Sequence, residues 1–345
     1  MSKERISTEA GFAEAFATAA PGSLTEGRIR VGSFASGAEI VLPFLILKGA
    51  KPGPCLWISG QVHGNEINGI WAALDFMEGL DPAELSGSVV LSSTANPLAL
   101  DARRKTAPQD EQDLDQTFPG NANGLVSDQM SAALFAAAAD CADVLISMHT
   151  MNNLFYSDPY AVYKLHPDSG IDEAKLFSMI RHFHPVVACR MNVAPGAGEL
   201  PGNIPGALDY QMLARGKPAF MIELGSGSET DEGCVALGVA GLHGVAAEMG
   251  MIAAPQRKPA EKLRRVARRT HVMTREGGLF RTANRPAMKV EANRPLGTIC
   301  SITGRPMAEP AMAQDVLIIG IRKDPVVHTG DRIAFVALEW TDVSV

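Results

Sequence analysis

The chain has 345 residues, 46% of them apolar, enough for roughly two domains at about 150 residues each. Lys and Arg number 31 against 38 Asp and Glu, and a net charge of −7 is the wrong sign for a phosphate-backbone binder, so no nucleic-acid partner is expected. No stretch approaches the ~20 uninterrupted apolar residues of a membrane span. The start lacks a basic region followed by an apolar core, and the expectation is a soluble cytoplasmic protein with no membrane partner.

In chain order, strand-like apolar runs are predicted at 39–47, 54–59, 88–94, 143–148 and 218–222, and helices at 68–78, 127–140, 171–182, 208–214 and 236–249. Unbroken apolar strands interleaved with helices argue for an α/β fold: a mostly parallel or mixed sheet with helices on both faces. After about residue 255 the pattern changes to short strand-like runs split by Gly and Pro, which reads as a smaller β-rich C-terminal domain. Residues 257–289 hold eleven Lys or Arg against two acidic residues, a balance of +9 that leaves −16 for the rest of the chain. The expected division is therefore 1–258, an α/β catalytic domain, and 259–345, with Pro255 and Pro259 in the linker. The basic cluster reads as a solvated face or a docking surface against the acidic first domain, with an acidic ligand as the sharper alternative. Five scattered cysteines, Cys55, Cys141, Cys189, Cys234 and Cys300, never spaced C-x-x-C, read as reduced and mostly buried thiols.

Ligands in open α/β sheets bind at the carboxyl ends of strands, and four such ends carry the chemistry here. Cys55-Leu-Trp-Ile-Ser59 breaks at Gly60 and delivers His63 and Glu66, an H-x-x-E pair in a turn entering a helix. That spacing turns an imidazole and a carboxylate to one side, and with one more nitrogen the set suits Zn²⁺ while leaving its fourth position open. Alone the pair is weak, and the bland reading of His63, a surface residue capping a helix, outweighs it. The run ending at Met148 delivers His149, the natural third ligand or a satisfied core histidine. The run ending at Ile222 delivers Glu223 before Gly225-Ser226-Gly227, either a carboxylate reaching a metal-bound water or half of a structural ion pair. The fourth end leads through Asn96-Pro97 into a long charged loop with Arg103, Arg104 and Lys105, then Asp110, Asp113 and Asp115. The basic trio offers a cation to an oxyanion; the bland reading of such a run is a solvated face. His166, His182, His184, His243, His271 and His328 have no comparable pairing and read as structural. Tyr163 and Tyr210 are open as substrate contacts.

The order H-x-x-E, N-P with a basic cluster, D-L-x-x-x-F-P-G, a strand ending in His-Thr and a strand ending in E-x-G resembles the succinylglutamate desuccinylase and aspartoacylase family of zinc carboxypeptidase-like enzymes. The resemblance runs from about residue 40 to the C-terminus. It implies His63, Glu66 and His149 as ligands of one zinc ion per subunit, and Glu223 as the carboxylate beside the catalytic water. It also implies Arg104, or its neighbours Arg103 and Lys105, as the oxyanion-stabilising cation. The family usually reads D-L-N-R-x-F-P-G, its Asn-Arg pair resembling a substrate-carboxylate clamp, whereas this chain reads Asp113-Leu114-Asp115-Gln116-Thr117-Phe118-Pro119-Gly120. Losing such an Arg removes about 1.5 to 3 kcal/mol of carboxylate binding, so Asp115 and Gln116 are expected to favour a neutral or cationic substrate group. Ser147 is a second departure, where the family often has Asp.

The implied activity is zinc-dependent hydrolysis of a small N-acylated amine, such as an acetylated diamino acid. A peptidase or amidase acting on short peptides or conjugates, and a zinc-binding relative without turnover, remain the alternatives. The number of subunits is open, a homo-oligomer included.

Overall fold

The structure is a computed structural model and describes residues 4–192, 204–254 and 257–345. The chain begins with β1 (Glu4–Ser7), α1 (Phe12–Thr18), β2 (Ser23–Ser33), β3 (Glu39–Lys48), β4 (Lys51–Ser59), α2 (Asn68–Gly79), β5 (Ser86–Ser92), α3 (Pro97–Ala102) and α4 (Val126–Cys141). There follow β6 (Val144–Met151), β7 (Phe155–Ser157), β8 (Tyr160–Tyr163), α5 (Glu173–Ile180), β9 (Ala188–Arg190), α6 (Leu208–Leu213), β10 (Ala219–Ser226) and α7 (Glu232–Glu248). Beyond the linker only strands remain: β11 (Lys262–Met273), β12 (Gly278–Arg281), β13 (Lys289–Val290), β14 (Thr298–Cys300), β15 (Pro306–Ala308), β16 (Val316–Arg322), β17 (Val326–Val327) and β18 (Arg332–Ser344). The α/β reading and the β-rich C-terminal region are both present. Pro255, half of the expected linker signal, lies outside the described residues.

One large mixed sheet runs β1-β2-β3-β5-β4-β6-β10-β8-β9-β11-β18-β16-β13, and β7 crosses to pair with β16. Its centre is parallel, β5-β4-β6-β10, as continuous apolar strands covered on both faces require. Leu56, Trp57, Ile58, Val89, Val90, Leu91, Leu145 and Ile146 are fully buried there. Each such Leu, Ile or Val stabilises the fold by roughly 1.5 to 3 kcal/mol. A smaller sheet, β15-β14-β12-β17, completes the C-terminal region. Among the described residues no helix is long and apolar enough to cross a membrane.

Two expected strand ends move. The strand at 143–148 was expected to stop before His149, and that at 218–222 before Glu223. Instead β6 runs to Met151 and β10 to Ser226, because the parallel ladder continues through the pair Glu223↔His149. The irregularity comes only afterwards, between Glu223 and Ser226, where Gly225 takes a φ of 73°. The helix expected at 236–249 starts earlier, at Glu232, because Asp231 caps it by accepting from the Cys234 N–H. The basic cluster is partly engaged along β11: Arg264 pairs with Asp342, Arg268 with Glu339 and Arg265 with Glu173. All five cysteines are free.

Candidate metal centre and active site

The H-x-x-E pair lies where β4 ends and the chain turns into α2, as its spacing predicted. Gly64 is required between the two ligands: a Cβ there would collide with the Ala99 carbonyl, since the turn packs directly on α3. His63 Nδ1 lies 2.8 Å from Glu66 Oε1, and His149 Nδ1, from the neighbouring strand β6, lies 3.0 Å from Glu66 Oε2. The three ligand atoms fall within 4.8 Å of one another, and all three residues are buried. The rings are 5.2 Å apart, edge to face.

The far nitrogens are held in place. His63 Nε2 contacts Asp113 Oδ1 at 3.0 Å, and His149 Nε2 contacts Ser147 Oγ at 3.0 Å. Asp113 is oriented in turn by Lys105 Nζ at 2.8 Å, the Gln116 amide at 3.1 Å and the Asp115 N–H at 3.2 Å. Fixing both Nε2 atoms points the two Nδ1 atoms at Glu66, and displacement of their protons by an ion would free the lone pairs that metal-ligating histidines use. The electrostatics agree. Against the cost of burial, the charges of Glu66 and Asp113 raise His63 to about 10, and Glu66 is held down to about 2 by His63 and His149 despite its own burial. The cluster stabilises positive charge at its centre strongly enough to overcome desolvation, which fits a divalent cation held by two imidazoles and a carboxylate.

Glu223 stands beside the triad, in register with His149. Burial and the neighbouring negative charge of Glu66 push its carboxyl up to about 7, Tyr160 faces it across the β8-β10 pairing, and its Oε2 is buried with no partner. A buried carboxyl poised near neutrality with a free oxygen is suited to general acid and base chemistry.

The cluster opens into a cavity of about 690 Å³. Arg103, Arg104, Lys105 and Asp115 line it, together with the metal cluster and Glu223. Arg103, capping α3 with a φ of 52°, turns the chain back along the cavity rim. The Arg104 guanidinium reaches Glu111 at 2.8 Å and is half exposed. Asp115 is held down in the wall: burial pushes its carboxyl up, and its Oδ1 is buried without a partner. Gln116 departs from expectation. The 3₁₀ turn Leu114–Gln116 rotates it outward, so it is exposed, does not line the cavity and acts through Asp113 instead.

Several lining residues escaped sequence reasoning. Tyr160 lines the cavity, whereas Tyr163 bonds to Glu173 and Tyr210 packs on Ile204 and Ala207. His271, read as structural, lines the cavity with Arg269, Arg332 and Phe335, all from the β-rich region. The available signal was Arg269 itself, a charged residue among the buried positions Leu263, Val266 and Val272 of one strand.

Over 143 residues the chain is 25% identical to the N-alpha-acetyl-L-2,4-diaminobutyric acid deacetylase of Halomonas elongata, covering 40% of this chain and 42% of that protein. It thus spans less than half the length of that curated relative. Its fold is shared with the succinylglutamate desuccinylase/aspartoacylase structure from Rhodobacter sphaeroides, with a TM-score of 0.78, 22% identity and coverage of 93% of this chain and 96% of that one. It is shared equally with the product-bound ectoine utilization protein EutE (DoeB) of Ruegeria pomeroyi, with a TM-score of 0.78, 19% identity and coverage of 92% and 95%. The family model of the succinylglutamate desuccinylase/aspartoacylase catalytic domain matches residues 52–247, more than half of the chain and all of the cluster described above. With its His-Glu-His cluster set on the β4-α2 turn and β6 of this shared fold, the chain belongs to the succinylglutamate desuccinylase/aspartoacylase family.

Proposed function

We propose that the protein is a zinc-dependent deacylase that hydrolyses the amide bond of a small N-acylated amine. The observation that carries this reading is the meeting of His63, Glu66 and His149 with the unpartnered Glu223 carboxyl in one buried site. His63 Nδ1, Glu66 and His149 Nδ1 would hold the ion. Zinc so held supplies a Lewis acid that polarises a carbonyl and brings the pKa of water from 15.7 to about 7.

Glu223 accepts a proton from the attacking water at its free Oε2 and returns it to the departing amine nitrogen. Water adds across the C–N bond, giving a carboxylate and a free amine. Tyr160, paired with Glu223 across the sheet, and buried apolar neighbours such as Phe155 keep bulk water from competing. Arg104, with Arg103 and Lys105 beside it, is the cation placed to meet the developing oxyanion, exchanging Glu111 for substrate. Asp115, an unpartnered acceptor in the wall, receives a donor from the substrate, and a cationic amino group satisfies it best. An N-acylated diamino acid, of the class named for the Halomonas elongata relative, has that group. Free cysteines throughout support a cytoplasmic setting.

The test is mass-spectrometric turnover by zinc-loaded protein on N-acetyl compounds divided into those with only a free carboxylate and those carrying a free amine. Preferential hydrolysis of the second group is expected. Glu223→Gln keeps the shape and removes the base, so it should retain zinc and lose turnover by at least about 10²-fold; near wild-type activity in that variant would sink the assignment.

A further inference from the structure

The cavity has a second polar wall that the deacylase reading leaves unused. It is built by β11 and β18, which pair Arg269 with Ala337 and His271 with Phe335. Phe335 of this wall packs edge-on against Tyr160 with ring centroids 6.3 Å apart, and Tyr160 is paired with Glu223 between β8 and β10. Arg269 is 8% exposed. A guanidinium is almost never buried this far without a counter-charge, because desolvation costs several kcal/mol unless an anion offsets it.

Among the described residues no carboxylate lies within 4.0 Å of Arg269 or of Arg332. Arg269 sits 5.5 Å over the Phe335 ring and beside the Cys189 thiol. Of the other cations of the cavity, Lys105 pairs with Asp113 and Arg104 with Glu111, and Arg103 caps α3 on the charged loop. His271 adds no third charge: burial, Arg332 and Arg269 push it down to about 4, and its Nδ1 is buried without a partner. The wall thus offers two guanidinium groups and a neutral imidazole to whatever enters. The same cavity is lined by Asp115, whose Oδ1 is buried without a partner.

We propose that Arg269 and Arg332 form a subsite for a carboxylate of the substrate, so that the β-rich region reads an anionic group while Asp115 reads a cationic one. The proposal rests on the deacylase reading and narrows its substrate class to zwitterionic N-acyl diamino acids. A planar carboxylate matches the guanidinium fork, whereas a carboxamide brings N–H donors against it.

The experiment is calorimetric binding to the zinc-loaded Glu223→Gln protein, which holds substrate without turnover, using Nα-acetyl-L-2,4-diaminobutyrate and its primary carboxamide. The carboxylate should bind about 10- to 100-fold more tightly, as expected for a charge-assisted pair. Adding Arg269→Gln should erase most of that ratio, Arg332→Gln part of it, and Arg269→Lys should restore some. A ratio near one in the parent, no binding of either compound, or an unchanged ratio in Arg269→Gln would overturn the subsite. Arg332→Gln, at an exposed position, keeps the test available should Arg269→Gln unfold. A carboxylate preference lost in these variants, beside a wild-type protein that hydrolyses no N-acyl compound, would uphold the subsite and refute the deacylase reading instead.

Discussion

Asp113 is expected to govern metal affinity although it provides no ligand atom to the His-Glu-His cluster. Its Oδ1 lies 3.0 Å from His63 Nε2 and its Oδ2 2.8 Å from Lys105 Nζ, with the carboxylate only 13% exposed. The carboxylate keeps the proton on Nε2, leaves the Nδ1 lone pair free and makes the ring more basic. Outer partners of this kind are worth 10- to 100-fold in metal affinity, about 1.4 to 2.8 kcal/mol. Asp113→Ala belongs near the upper end, because the lost partner is charged and sheltered from water. Ser147→Ala removes a neutral hydroxyl from His149 Nε2 and should cost about 1 kcal/mol, roughly fivefold. Asp113→Asn falls between them: it retains an acceptor for His63 and sets a neutral amide against Lys105. Competition for zinc against a chromogenic chelator at neutral pH measures all three variants. Wild-type affinity in Asp113→Ala, or a larger loss in Ser147→Ala, would refute the assignment of these contacts as the ones that aim the imidazoles.

Other consequences are open to direct measurement. Asp115→Asn should abolish the preference for amine-bearing over neutral N-acetyl compounds, seen as matched kcat/KM values. Lys164 and Asp209 form a buried pair at 2.7 Å behind the Asp115 wall, 1% and 0% exposed, so Lys164→Met alone should destabilise by about 3 to 5 kcal/mol in denaturant titration. Replacing both, Lys164→Met with Asp209→Leu, should recover most of that loss; a double variant no better than the single would show that packing and not charge is at stake. Zinc at 100 times its Kd should stabilise the fold by about 2.7 kcal/mol and raise Tm, and chelation should reverse the shift.

Much of the metal cluster was legible in the sequence because its parts are local. The three-residue spacing of His63 and Glu66 is fixed by one turn, and His149 and Glu223 stand out as polar residues following apolar runs. The positions of the strand ends were misjudged for the same reason. A polar residue after an apolar run reads as a terminus, yet the β6-β10 ladder carries His149 and Glu223 inside the sheet. Asp113 was hidden among loop charges that look solvated, and only the 3₁₀ turn Leu114–Gln116 shows that it faces His63 while Gln116 faces out. The eleven-residue strand β2 was missed because Ser23–Ser33 carries too few apolar residues to register as a buried run. Tyr160 was beyond reach, since its place depends on a strand neighbour far away in sequence, and Arg269 offered only the weak signal of a charge among buried positions.

That last point bears on how recognition is divided from chemistry. The metal ligands and Glu223 come from β6, β10 and the β4-α2 turn, at the centre of the sheet, whereas Arg269, His271, Arg332 and Phe335 come from beyond residue 260. The two groups face one cavity only because the sheet continues across the seam. β9 pairs with β11 at Ala188↔Arg265 and Cys189↔Val266, Arg265 reaches Glu173 at 3.1 Å, and β7 crosses to pair Ser157 with Gly320. The Arg265 ion pair is partly exposed, but a shared apolar core backs the seam, with Met151, Phe155, Tyr160, Val187 and Met221 packed together with Val266, Leu317, Ile319 and Phe335. Met151 of β6 and Met221 of β10 lie in that core, each two residues from His149 or Glu223, so damage at the seam is expected to reach the His-Glu-His cluster as well as the fit between substrate and cavity.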